Sequence, residues 1–323
     1  MLQLMAGAGK VCIDPTSDMY PLPNPRPGRD GKPFVQVAPY DSCYCRALAL
    51  CSGDQKVLIL CYDLVSTPGI DDFRKVLSEA TGIPREQIYI AATHNHTAPF
   101  DRGRRPLAAF PEATRDWYAR YENILCDAGI SAAMHAVSTM RPARIGYGEG
   151  KSYINVNRNL KTPSGCWVEE SNPAGFSDKT LAVLKIEDMN GQLIAALLNH
   201  PTHATCGFKM PDADGMGKTS GNFPGVTCRF LEERYAKDGA VVLWTSGASG
   251  DQGPVLTFGL QMEYPDGYTT MIEYPAGTGT LQIEYIGRRH GADAAEILAD
   301  IKTMDISGEM MTRQKDVLLP TQK

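Results

Sequence analysis

Short apolar runs that stop abruptly at polar residues alternate along this chain with stretches of helical spacing. Runs at 45–50, 57–62, 87–92, 181–186, 193–198 and 241–245 predict buried strands. Apolar residues recurring near a 3.6-residue period predict helices over 69–81, 117–138, 226–236 and 283–301. In the second of these, Trp117, Tyr121, Ile124, Leu125 and Ala128 form one apolar face, and Pro142 bars its continuation. The order predicts an α/β fold, a layered mixed β-sheet core flanked by helices. Irregular segments at 20–39, 97–112 and 205–221 interrupt it, and loops of that length in a compact fold are more often functional than accidental. No repeat, low-complexity tract or linker divides the chain, so residues 1–323 read as one domain.

Four of the six histidines lie just past two of the predicted strands. The run 87–92 leads into Thr93-His94-Asn95-His96, and 193–198 leads into Asn199-His200-Pro201-Thr202-His203. Side chains two apart on extended backbone point the same way, so His94 and His96 are expected to face one cavity. Pro201 disfavours a helical ligand pair, which leaves His200 at the strand end as the better ligand and His203 in the following turn as an accessory or a surface residue. Imidazole is the common nitrogen ligand of zinc, so the pattern points to a metal site. A third strand end runs into Ser249-Gly250-Asp251-Gln252-Gly253-Pro254, where Asp251 is a candidate base or a hydrogen-bond partner of a metal ligand.

Composition narrows the partners. With 32 basic and 37 acidic residues and a net charge of −5, nucleic acid is not an expected partner. No run approaches the roughly 20 apolar residues that span a bilayer, and no signal peptide is recognisable, so stable membrane insertion is not expected. Nine cysteines without a framework suggest free thiols and a cytoplasmic setting. Ala6-Gly7-Ala8-Gly9-Lys10 mimics a phosphate loop but lacks its first glycine and the hydroxyl residue after the lysine.

The histidine segments also carry a resemblance. Thr93-His94-Asn95-His96-Thr97-Ala98-Pro99 resembles the Thr-His-Thr-His-Ser-Gly-Pro signature of the neutral/alkaline non-lysosomal ceramidases. His200-Pro201-Thr202, Ser220-Gly221-Asn222, Asn157-Arg158, Gly250-Asp251 and the opening Ala8–Pro15 stretch are similar to further segments of that family, in the same order. The resemblance implies an α-β-β-α sandwich and a zinc-dependent amide hydrolase. It implies His94 and His200 as ligands of one zinc ion, His96, Arg158 and Asp251 in catalysis, and Asn157, Asn222 and His203 at the substrate.

Departures accompany it. Gly253 stands where the ceramidases carry a serine, which excludes a serine nucleophile there, and Asn222 replaces an aspartate, which removes a base. The family's remaining zinc ligands, a Glu in a Pro-Gly-Glu segment and a later Tyr, have no counterpart, so the chain is expected to be C-terminally incomplete and its zinc weak or absent. An edge left unpaired by the missing part would favour a homo-oligomer. The reading is thus a zinc hydrolase of an amide or related acyl bond in a small molecule. Its alternative is an inactive relative that keeps the pocket without a complete metal shell.

Overall fold

The computed structural model describes residues 3–24, 26–27, 33–103, 105–207, 214–256, 260–263, 269–272, 277–306, 310–315 and 317–318. The middle of the 20–39 and 205–221 segments therefore lies outside the described residues. In chain order, the elements that position the site are β1 (Leu4–Cys12), β2 (Tyr44–Ser52), β3 (Gln55–Tyr62), α1 (Phe73–Thr81), β4 (Ile88–Ala92), α2 (Glu112–Ser138), β5 (Arg141–Lys151), β6 (Asn155–Lys161), β7 (Trp167–Asn172), β8 (Thr180–Asp188), β9 (Leu193–His200), α3 (Asn222–Arg234), β10 (Val241–Ser246), β11 (Gln252–Pro254) and α4 (Gly279–Asp300).

The main sheet has eight strands in the order β10-β9-β8-β5-β1-β2-β3-β4. Its two outer pairs, β3 with β4 and β9 with β10, are parallel. Each of these pairs is joined through a helix, α1 in one and α3 in the other. The inner strands are antiparallel.

Alternation explains the layers. In β2, Cys45, Ala47 and Ala49 pack in one cluster with Tyr121, Leu125, Ala128 and Ala132 of α2, whereas Leu48 and Leu50 face the other way. There they meet Ile186, Ala195, Val241 and Leu243 from the opposite arm of the sheet. The sheet is thus folded over on itself. Cys61 on β3 reaches the carbonyl of Trp244 on β10 at 2.8 Å, although the two strands stand far apart in the hydrogen-bonded order. The outer face of the second arm packs on α3 and α4 through Val183, Ala196, Leu198, Phe223, Val226, Ile283 and Ile286. Helix, sheet, sheet and helix follow one another, as the resemblance implies.

Two strands absent from the apolar-run pattern, β5 and most of β1, are rich in glycine and alanine. The reason is close packing. A Cβ at Gly7 would sit 2.2 Å from the Ala136 carbonyl of α2, so the Ala6–Lys10 stretch is a strand beneath a helix and not a phosphate loop. Helix α1 begins four residues later than its spacing predicts, because the Gly69 amide donates to Asp101 and Asp71 and Asp72 form a turn ahead of the helix. No helix among the described residues is long and apolar enough to cross a membrane.

Candidate metal centre

Beyond β4 and β9 the two histidine segments pair with each other. Asn95 and Ala204 form a parallel bridge, and the His96 amide donates to the Ala204 carbonyl at 2.9 Å. Asn95 turns inward, with its side-chain amide on the Ser220 carbonyl and its oxygen accepting from the Thr97 backbone. On the other side of the bridge, His94, His96 and His203 converge. One nitrogen from each lies within 4.8 Å of the others, a group able to hold a metal ion.

Backbone carbonyls set the rings. The Nδ1–H of His94 donates to Val65 at 2.6 Å, and that of His203 donates to Ser249 at 3.0 Å. These bonds fix the neutral tautomer that leaves each Nε2 with an outward lone pair. The two Nε2 atoms stand 2.7 Å apart, and Nε2 of His96 is 3.4 Å from that of His94. Two lone pairs at that distance repel unless a cation lies between them, so the donor set fits a shared metal ion or proton. Tetrahedral zinc with bonds near 2.0–2.1 Å places nitrogens roughly 3.3–3.4 Å apart, which the His94–His96 spacing meets and the His94–His203 spacing approaches after a small opening. Burial pushes the His203 pKa down to about 4, with nearby Arg158 and His94 adding to the effect. A buried imidazole held neutral is ready to ligate.

His200, expected beside His94, stands outside this group. Period two puts it on the face of β9 that carries Ala196 and Leu198, which packs on α3 and α4. Its Nδ1–H donates to the Thr180 carbonyl at 2.9 Å, and its ring lies 4.9 Å from that of His290. The irregular segment after Pro201 then delivers His203, placed by sequence in an accessory role, to the cluster, where its amide donates to the Gln252 carbonyl. The convergence of His94 and His96 is present, but His94 is not extended: its φ of 56° is left-handed.

The Gly-Asp turn acts through its main chain. Ser249 holds the His203 ring, the Gln252 carbonyl accepts the His203 amide at 2.9 Å, and the Gly250 carbonyl accepts both Nε and Nη2 of Arg158 at 3.0 and 2.8 Å. Arg158 also pairs with Glu169, a neighbour that no sequence signal singled out. The Asp251 carboxylate faces Asn157, whose amide reaches it at 3.3 Å and the Phe176 carbonyl at 3.0 Å. Asn222 is fully buried as a brace: its amide donates to Thr97 Oγ1 and the Cys206 carbonyl, tying together the loops after both histidine segments.

No family model matches the chain. A neutral ceramidase of Pseudomonas aeruginosa is 28% identical over 124 residues, 36% of this chain and 17% of that protein. Neutral ceramidase A of Dictyostelium discoideum is 25% identical over 138 residues, 42% of this chain and 19% of that protein. The crystal structure of neutral ceramidase from P. aeruginosa matches 96% of this chain with a TM-score of 0.66 at 20% identity, and a structure of a ceramidase complexed with C2 gives 0.65 over the same share. The chain spans 46% of the length of each of those two structures. With its folded-over sheet between two helix layers, this chain shares the fold of those ceramidase structures over nearly its whole length.

Proposed function

We propose that the chain is a metal-dependent hydrolase of an amide bond in a small molecule, with His94, His96 and His203 holding one zinc ion. One observation carries the reading: three imidazoles converge, and in two of them Nδ1 is spent on a carbonyl so that Nε2 faces its partner. The likeness to neutral ceramidases supports amide hydrolysis as the reaction class. The metal position assigned by sequence to His200 passes in this reading to His203.

A zinc ion held by three neutral histidines supplies Lewis acidity and lowers the pKa of bound water toward neutrality. The chain's own residues do the rest. The carbonyls of Val65 and Ser249 orient the ligands. Arg158, always charged and held over the Gly250 carbonyl, offers a cation to a developing oxyanion on the same side as His203. The Asn157 amide bonds both the Asp251 carboxylate and the Phe176 carbonyl, and in this reading the pair lies at the substrate. Nine free cysteines support action in a reducing, cytoplasmic setting.

Hydrolysis of a set of N-acyl p-nitroanilides, before and after metal removal and zinc return, tests the proposal. Activity that disappears with the metal and returns with zinc supports it. Activity indifferent to chelation overturns it.

A further inference from the structure

Arg46 of β2 is 2% exposed and faces the layer between the two arms of the sheet. Its Nη1 donates to Asp63 Oδ2 at 2.7 Å, and its Nε approaches Glu232 Oε1 at 3.4 Å. Each carboxylate leads to a different histidine. Asp63 directly follows β3, and its Oδ2 also accepts the Tyr44 amide at 2.9 Å. Next along the chain, the Leu64 carbonyl accepts the Asn95 amide and the Val65 carbonyl accepts Nδ1–H of His94. Glu232 of α3 takes the Val242 amide at 3.1 Å and Lys10 Nζ at 2.7 Å. Val242 lies in β10, which runs into the turn where Ser249 holds His203.

A buried ion pair is weak evidence for stability, because apolar side chains of similar volume often replace one without loss. What such a pair supplies is one arrangement among several close-packed ones. We propose that Arg46, with Asp63 at the end of β3 and Glu232 on α3, is a positioning device that fixes the spacing of His94 and His203. The proposal rests on reading the histidine cluster as a metal centre. Neither carboxylate touches the metal ligands; both act through the backbone that carries them.

Histidine ring ¹⁵N spectra of the metal-free protein and zinc calorimetry test it together. Asp63→Asn keeps an acceptor for the Tyr44 amide but removes the charge, and Arg46→Lys keeps the charge but loses the fork. Both variants are expected to shift the His94 and His203 ring signals and to weaken zinc binding about 10-fold or more. Glu122→Gln, which removes the charge pairing between Arg102 in the preceding loop and Glu122 on α2, is expected to change neither reading. Folded Asp63→Asn and Arg46→Lys proteins with wild-type ring signals and zinc affinity overturn the proposal. If both fail to fold, Glu232→Gln decides by the same two readings. Shifted ring signals in variants of a protein that never binds zinc would leave the positioning device standing and defeat the metal reading.

Discussion

Nε2 of His94 and Nε2 of His203 face each other at 2.7 Å, each ring tied at its other nitrogen to a backbone carbonyl. The two residues come from opposite arms of the folded sheet and meet only because the chain beyond β4 pairs with the chain beyond β9. If the proposed centre holds a cation between them, removing it leaves two lone pairs opposed, so the metal-free centre is expected to be wider than the zinc-bound one. Comparison of crystal structures with and without zinc checks this. A His94–His203 separation that does not change with occupancy contradicts it.

Arg158→Ala is expected to lower kcat/KM for amide cleavage by about 10²-fold, in line with the loss of one oxyanion donor, while the melting temperature changes little. Arg158→Lys is expected to restore little, because a single ammonium cannot reproduce the two bonds to the Gly250 carbonyl. Steady-state kinetics on both variants decides the point. Near-wild-type turnover in either would remove Arg158 from the reaction.

Acid should destabilise the fold in part through His200. It is 0% exposed, and burial lowers its pKa to about 4, whereas the unfolded chain titrates near 6.5. Below pH 6.5 the unfolded state takes up the proton first, so stability is full above that value and falls as the pH drops to about 4. The 2.5-unit gap sets a ceiling of about 3 kcal/mol on its share of the loss. Urea unfolding of metal-free protein at pH 7.5 and 4.5 measures it, and His200→Gln should reduce the slope, the remainder belonging to His203 and His290, which burial also lowers. A slope unchanged in the variant refutes the assignment.

Asn222→Ala is expected to cost about 2–4 kcal/mol, because it removes the bonds to the Cys206 carbonyl and Thr97 Oγ1 and puts alanine at the left-handed φ of 56° that Asn222 adopts. Asn222→Gly, which accepts that φ, should recover part of the loss but not the order of the two loops. Denaturant melts of the two variants separate strain from lost bonds. Equal stability of Asn222→Ala and wild type would show that the brace is dispensable.

Much of this architecture can be read from the chain. The apolar runs locate β2, β3, β4, β8, β9 and β10 within a few residues, since strands buried on both faces leave continuous signals. Strands β1 and β5 are hidden because glycine and alanine, required under α2 and α4, carry no strand preference. The period of β9 places His200 with Ala196 and Leu198, away from the cluster, but nothing in that period points to His203, which reaches the cluster through the Asn95–Ala204 bridge. Main-chain carbonyls at Val65 and Ser249 have no side-chain signature at all, and the Arg46 network joins residues 17 and 186 positions apart.

Zinc content per chain, measured after chelation, reloading and dialysis in wild type, His203→Ala and His200→Ala, tests the central claim most directly. About one ion in wild type and in His200→Ala, with almost none in His203→Ala, is the predicted result, since a site of three histidines does not survive loss of one ligand at this stringency. Zinc retained by His203→Ala, lost from His200→Ala, or absent from wild type would contradict the account.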